Sequence, residues 1–86
     1  MDEKLLKLKN ITALHKLVIM VIMEEIQYSF GCRLTSNEFA KKLGVSRKQI
    51  LDILTELEEM DYIMCKITAP IRCTYITKRL KTKLYE

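Results

Sequence analysis

The sequence predicts a small α+β fold that is mostly helical. Residues 34–57 have the pattern of two short amphipathic helices joined by a sharp turn. Residues 62–76 contain two runs of β-branched and aromatic residues separated by a segment with Pro70, which predicts a β-hairpin. A longer helical pattern precedes these segments and a short one follows them. The expected fold is therefore a three-helix core, a hairpin and a C-terminal helix.

Each of the two short helices carries start and stop signals. Thr35 and Glu38 have the spacing of a capping box, in which each side chain accepts the other residue's amide hydrogen. Gly44 can adopt the left-handed conformation that ends many helices. Ser46 and Gln49 repeat the capping-box spacing, so a second helix is expected to begin there.

The apolar residues around this turn have a specific register. They supply the core anchors, the small residue at the helix crossing and the turn hydrophobe that a helix-turn-helix requires. These positions are Phe39, Ala40, Leu43, Gly44, Val45, Ile50 and Ile53. The segment resembles the helix-turn-helix superfamily, and the alternative is an ordinary helical hairpin in a small all-helical domain.

The segment after the helix pair narrows the resemblance. Thr77 can cap a last helix at residues 78–85, in which Leu80 and Leu84 lie one turn apart and face inward. The order of helix, capped helix pair, hairpin and closing helix resembles the winged helix-turn-helix family of compact regulators from bacteria, archaea and archaeal viruses. Residues 75–77 resemble the strand-to-helix junction of those regulators. The chain departs from many of them by having Arg79 and Leu80 where a glycine often follows the threonine.

The resemblance implies one domain over residues 1–86. Its helix-turn-helix would span about residues 35–59, its hairpin wing about residues 62–76 and its C-terminal helix about residues 78–85. A length of 86 residues suits one domain with a marginal core, and a hydrophobic content of 49% is ample for a globular fold. The longest apolar run, residues 17–23, is too short to span a bilayer, and the N-terminus lacks the pattern of a secretion signal. We expect a cytoplasmic protein that does not enter a membrane.

Residues 11–30 predict a long helix that is apolar on more than one side. A domain of this size has room to bury one apolar stripe. The second stripe is expected to pack against its equivalent in a twofold homodimer, which suits a protein that contacts two half-sites. The alternatives are a central helix surrounded by its own domain, or a buried strand. The apolar positions are Leu14, Leu17, Val18, Ile19, Met20, Val21, Ile22, Met23 and Ile26.

The charges of the second short helix oppose its dipole. Arg47 and Lys48 lie at its positive N-terminus, and Glu56, Glu58 and Glu59 lie toward its negative C-terminus. Each such placement costs a few tenths of a kcal/mol, roughly, and a phosphate or base edge at the N-terminus would offset the basic pair. This pattern favours a DNA-reading helix, and the alternative is a solvated charged face.

The predicted site for double-stranded DNA has two parts. The first lies on the second helix of the pair, where Arg47 would contact guanine, Gln49 adenine and Lys48 phosphate. Its predicted residues are Ser46, Arg47, Lys48, Gln49 and Asp52. The second part is the wing, where a turn at residues 68–70 would place Lys66 opposite Arg72 for a phosphate or the minor groove. The net charge of +4 and a pI near 9.0 agree with an anionic partner.

The same hairpin register places Cys65 opposite Cys73, on an inward face with Ile63 opposite Tyr75 and Ile67 opposite Ile71. Cys65 and Cys73 could then form a disulfide if the source is hyperthermophilic, although the cytosol reduces most disulfides. Cys32 would remain to link subunits or to sense oxidants. A zinc site from His15, Cys32, Cys65 and Cys73 has weak support, because no closely spaced cysteine pair exists.

Enzyme chemistry has no support in the sequence, which lacks a glycine-rich phosphate loop and has a single histidine. The sequence therefore predicts a dimeric, sequence-specific DNA-binding regulator with no cofactor. One alternative is a winged helix that docks another protein. The other is a redox- or metal-responsive repressor in which the cysteines change the dimer.

Overall fold

The computed structural model describes residues 5, 7–9, 11–28, 31–68 and 71–85, with the backbone alone at positions 27, 28, 67, 68, 71, 72 and 85. The fold is mostly helical with one two-stranded antiparallel hairpin. In chain order the elements are α1 (Ala13–Tyr28), α2 (Ser36–Leu43), α3 (Arg47–Glu59), β1 (Ile63–Thr68), β2 (Ile71–Ile76) and α4 (Lys78–Tyr85). This is the predicted winged helix-turn-helix order, and the fold-class prediction is confirmed.

The predicted capping boxes delimit α2 and α3. The Thr35 hydroxyl accepts from the Glu38 amide at 3.2 Å, and the Glu38 carboxylate accepts from the Thr35 amide at 3.1 Å. Ser46 and Gln49 form the same reciprocal pair at 3.1 and 3.0 Å. Gly44 ends α2 with φ 68° and ψ 33°, a left-handed conformation that a side chain would strain. The sharp turn between the two helices follows from these local signals.

One hydrophobic core joins all the helices and the base of the hairpin. Its members are between 0 and 9% exposed. The inner faces predicted for α3 and α4 are confirmed, and α1 contributes one buried stripe. The core residues are Leu5, Ile11, Val18, Ile19, Ile22, Cys32, Phe39, Ile50, Ile53, Leu54, Leu57, Tyr62, Ile63, Leu80 and Leu84.

A tight motif ends α3 and aims the hairpin. The Asp61 amide donates to the Glu58 carbonyl and the Tyr62 amide to the Leu57 carbonyl, both at 3.0 Å. Asp61 itself has a φ of 61°. These bonds form a Schellman motif with Asp61 in the left-handed position usually held by glycine. The Thr77 hydroxyl donates to the Asp61 carbonyl at 2.6 Å, which ties the start of α4 to this turn.

The predicted hairpin register is wrong by one residue. Thr68 belongs to β1 and pairs with Ile71, so two residues rather than three separate the paired strands. A slip of one residue changes every cross-strand neighbour. The observed pairs are Ile63 with Ile76, Met64 with Tyr75, Cys65 with Thr74, Lys66 with Cys73, Ile67 with Arg72 and Thr68 with Ile71.

Burial gives the physical reason for the observed register. The buried Ile63 lies opposite the half-buried Ile76 at the base of the hairpin, and Thr74 on the same face is 2% exposed. The predicted register would instead have paired Ile63 with Tyr75. The opposite face carries Met64, which is 47% exposed. The core therefore selects the strand alignment that places both isoleucines inward.

A short segment before α2 lies against the free edge of β2. The Cys32 amide donates to the Thr74 carbonyl at 2.9 Å, and the Thr74 amide donates to the Cys32 carbonyl at 2.8 Å. Next to this bridge, a Cβ on Gly31 would lie 2.8 Å from Cε1 of Tyr75. Position 31 therefore has to be glycine for the Tyr75 ring to keep its place.

Candidate nucleic-acid interface

The N-terminus of α3 presents a basic, fully polar surface. Ser46, Arg47 and Lys48 are all exposed. Lys41 and Lys42, in the last turn of α2, are exposed on the other side of the Gly44 turn. The carbonyl end of α2 favours these lysines, whereas the amide end of α3 disfavours Arg47 and Lys48. The sequence prediction omitted the α2 lysines, although their adjacent positions before the turn glycine were visible.

The outer face of α3 continues this surface along the helix. Lys48, Asp52, Thr55 and Glu59 follow one another at helical spacing and are all exposed. The opposite face of the helix is buried in the core. The Thr55 hydroxyl donates to the Leu51 carbonyl at 2.9 Å within the helix. A groove-reading helix requires such an arrangement, one face anchored and the other polar and open.

Gln49 is committed to the cap of α3. Its Oε1 atom accepts from the Ser46 amide at 3.0 Å and lies 3.3 Å from the Ser46 hydroxyl oxygen. A bidentate contact with adenine uses both the oxygen and the nitrogen of a carboxamide. The predicted adenine contact would therefore require the capping box to open. Among the described contacts, Arg47 and Lys48 have no side-chain hydrogen bond that would have to break first.

The wing contributes one described basic side chain. Lys66 is exposed, and its Nζ atom lies 5.9 Å from the centre of the Tyr75 ring. Lys66 pairs with Cys73 rather than with Arg72, so the predicted cross-strand pair of cations is not formed. The side chain of Arg72 lies outside the described part of the structure. On α4, Arg79 is exposed with its guanidinium carbon 5.8 Å from the centre of the Tyr62 ring.

The cysteines do not form the predicted pair. None of the three cysteines, all of which lie in described segments, is disulfide-bonded. Cys65 lies opposite Thr74, with its Sγ atom 3.5 Å from the Thr74 hydroxyl oxygen. Because side chains alternate along a strand, Cys65 and Cys73 belong to opposite faces of the hairpin. The register on which the cross-hairpin disulfide depended is therefore wrong.

Cys32 is a core residue rather than an accessible thiol. It is 0% exposed, and burial raises its pKa to about 11. A buried thiol with a raised pKa is a poor nucleophile at neutral pH. The expectation that Cys32 links subunits or senses oxidants does not fit this environment. Over the described residues, no group of three or more histidine, cysteine or acidic side chains could hold a metal ion.

His15 has a structural role at the start of α1. Its Nδ1 atom accepts from the Thr12 amide at 3.1 Å and lies 2.5 Å from the Thr12 hydroxyl oxygen, which in turn accepts from the His15 amide at 3.3 Å. This is a capping box in which histidine replaces the usual glutamate. The signal was the spacing of Thr12 and His15, which equals that of Thr35 and Glu38.

The outward face of α1 is also apolar. Val18, Ile19 and Ile22 are completely buried, whereas Leu17 on the other side of the helix is 37% exposed. Met20 and Val21, which flank Leu17 around the helix, are half-buried. The helix therefore has a buried stripe and a second, partly open apolar stripe. No helix among the described residues is both long and apolar enough to cross a bilayer.

Comparison with known proteins supports the fold. Neither a known protein-family model nor a curated protein sequence matches the chain. The structure is similar to that of a point mutant of S. aureus MepR, with a TM-score of 0.73, 23% sequence identity and 96% of this chain covered. It is also similar to S. aureus MepR bound to ethidium bromide, with a TM-score of 0.70, 21% identity and 95% of this chain covered. The chain spans 59% of the length of each MepR chain, and the likeness establishes a shared fold.

Proposed function

We propose that this winged helix-turn-helix protein is a dimeric, sequence-specific regulator that binds double-stranded DNA in the cytoplasm as a single domain. In this proposal α3 enters the major groove and the hairpin contacts the flanking backbone. The observation that carries the proposal is the N-terminus of α3. There the exposed, positively charged Arg47 and Lys48 lie at the positive end of the helix dipole, which disfavours them. Phosphates or base edges would turn this unfavourable placement into a favourable one.

The roles of the site residues follow from their positions. Arg47 reads a base edge, and Lys48 holds a phosphate at the mouth of the groove. Ser46 and Gln49 keep the N-terminus of α3 capped and rigid, and Asp52 faces the groove one turn further along. Lys66 contacts the flanking backbone from β1, and Arg72, which the register assigns to the opposite face of the hairpin, is a separate backbone contact from β2. Lys41 and Lys42 at the end of α2 contact phosphates beside the Gly44 turn.

The dimer in this proposal is formed by α1. Leu17, Met20 and Val21 form an apolar stripe that the protomer leaves partly open. A second copy of the same helix is the occupant with matching chemistry, because a twofold axis brings identical stripes together. The same axis would place two α3 helices about one turn of DNA apart.

The test asks whether sequence-specific binding and general attraction to DNA depend on different residues. Duplex fragments selected from the source genome would be compared with random duplexes by fluorescence anisotropy. Arg47→Ala should cost about 1 to 3 kcal/mol on the selected site and little on random duplex. Lys66→Ala should weaken all duplexes alike and reduce the slope of log affinity against log salt by about one unit. Lys83→Ala on α4 is the matched control for loss of one exposed positive charge.

A protein-docking module is the second candidate, because the exposed face of α3 also carries the acids Asp52 and Glu59. Asp52→Asn separates the two functions. Removing a carboxylate from a groove-facing helix should tighten binding to random duplex, whereas a basic protein partner would bind the variant more weakly. If Arg47→Ala and Lys48→Ala stay folded and keep full duplex affinity at moderate salt, α3 is not a recognition helix and the docking function replaces the proposed one.

A further inference from the structure

A partly buried polar link joins α1 to α3 beside their apolar contacts. His15 is 4% exposed, and its Nε2 atom lies 3.1 Å from Oε2 of Glu56. The Glu56 side chain is 46% exposed, so the carboxylate reaches inward from the edge of α3. The two residues are 41 positions apart in the chain. No local pattern predicts this contact, which exists because of the tertiary fold.

The partners of His15 fix its tautomer. A backbone amide can only donate, so the Thr12 amide requires Nδ1 to be an acceptor. A carboxylate can only accept, so Glu56 requires Nε2 to carry the hydrogen. Both requirements are met by one neutral tautomer, protonated at Nε2. The imidazole is therefore oriented by Thr12, the residue before α1, and by Glu56 on α3.

We propose that His15 is a positioning residue that sets the angle of α3 relative to α1. The apolar contacts between these helices are non-directional and tolerate small rotations. The bond from His15 to Glu56 is directional, and rotation that breaks it leaves a buried imidazole hydrogen without an acceptor. The link therefore selects one orientation of α3 among the several that the apolar core would accept.

This inference rests on the proposed function, because the angle between α1 and α3 affects DNA binding only if the protein is a DNA-binding dimer. If α1 forms the dimer, its angle to α3 determines the separation of the two reading helices. Half-sites must match that separation. His15 and Glu56 would then act on the tolerated spacing between half-sites without touching a base.

The experiment uses four variants of the full chain. Glu56→Ala removes the acceptor, and Glu56→Gln keeps an acceptor oxygen while removing the charge. His15→Asn keeps an acceptor near the position of Nδ1 for Thr12 while losing the reach to Glu56, and the fourth variant combines His15→Asn with Glu56→Ala. Affinity is measured for the selected site, for the same site with one base pair inserted between the half-sites, and for random duplex. Unfolding by urea is measured in parallel.

We expect Glu56→Ala and His15→Asn each to bind the selected site about tenfold more weakly, with random-duplex affinity unchanged. Both should also discriminate less against the inserted base pair. The double variant should be no weaker than either single variant, because the two residues act through one bond. Glu56→Gln should stay within about twofold of the original protein, because its oxygen still accepts from Nε2.

Three results would overturn the inference, and they separate its failure from that of the proposed function. If the unaltered protein binds duplex but Glu56→Ala and His15→Asn keep its affinity and spacing preference, the positioning role fails and the proposed function survives. The same conclusion holds if every duplex is weakened in proportion to lost folding stability. If the unaltered protein binds no duplex, the proposed function fails and the inference fails with it.

A spectroscopic measurement tests the geometry itself. The chain has one histidine, so nitrogen-15 NMR of the imidazole gives a single, assignable pair of signals. The structure predicts the neutral tautomer with hydrogen on Nε2 in the unaltered protein. We expect this preference to weaken in Glu56→Ala and to persist in Glu56→Gln. A hydrogen on Nδ1 with none on Nε2 in the unaltered protein would contradict the link.

Discussion

Asp61 occupies a backbone conformation that most side chains avoid. Its φ of 61° lies in the left-handed region, where every L-residue is strained, asparagine and aspartate less than the others, and where glycine is not. We expect Asp61→Gly to stabilise the protein by about 1 kcal/mol, because relief of strain exceeds the added flexibility of the unfolded chain. Asp61→Ala is the matched control and should be neutral or destabilising. Chemical denaturation measures both, and equal stability of the two variants would contradict this account.

Cys32 should make the protein less stable as the pH becomes alkaline. Burial raises the thiol pKa from its ordinary value of 9.0 to about 11, so the native state keeps a proton that the unfolded chain releases. The resulting stabilisation is present below pH 9.0 and is lost as the pH rises toward 11. The difference in unfolding free energy between about pH 8 and about pH 10.5 should be smaller in Cys32→Ala than in Cys65→Ala. An equal difference in the two variants would contradict the effect of burial.

At the residue scale, sequence signals succeeded where the chemistry was local. Thr35, Glu38 and Gly44 could be predicted because each interaction spans a few residues and has a known spacing. The same spacing at Thr12 and His15 is a weaker signal, because histidine is an uncommon partner in a capping box. The contact of His15 with Glu56 had no sequence signal, since only the packing of α1 against α3 brings the two together.

At the element scale, the bounds of α4 and the order of all elements could be read from the sequence, whereas the hairpin register could not. The presence of a hairpin depends on residue types, which the sequence displays. The register depends on whether Thr68 belongs to the connection or to β1, and on which face the core buries. Those are tertiary properties, so Lys66 and Cys65 acquired different partners from the predicted ones.

The junction between α3, the hairpin and α4 depends on one side chain. The Thr77 hydroxyl donates to the Asp61 carbonyl at 2.6 Å and accepts from the Leu80 amide at 3.3 Å. We expect Thr77→Val to cost about 1 to 2 kcal/mol, because it removes both a helix cap and a bond that ties two elements together. Thr77→Ser keeps the hydroxyl and should cost less than half as much, roughly. Thermal unfolding compares the two, and equal losses would contradict this account, because the methyl group would then matter as much as the hydroxyl.

At the scale of the whole molecule, α1 connects stability to the proposed dimer. Its buried stripe belongs to the protomer's core, whereas on its outward side Leu17 is 37% exposed and Met20 and Val21 are partly buried against that core. The length of the apolar pattern was visible in the sequence, but the division between the two stripes required the fold. His15 lies on the buried side, so the same helix carries a core contact, a link to α3 and the proposed dimer surface.

The division of α1 leads to a prediction about the oligomer. Leu17 is 37% exposed in the protomer, so Leu17→Glu should leave the core intact while placing a charge at the centre of the proposed interface. Sedimentation should show a dimer for the unaltered protein at about ten micromolar and a monomer for Leu17→Glu, with helical content unchanged. Ile22→Ala is the contrasting variant, because its completely buried side chain should cost about 2 to 5 kcal/mol of protomer stability. An unaltered protein that is monomeric at this concentration would contradict the dimer, and a dimeric Leu17→Glu would place the interface on another surface.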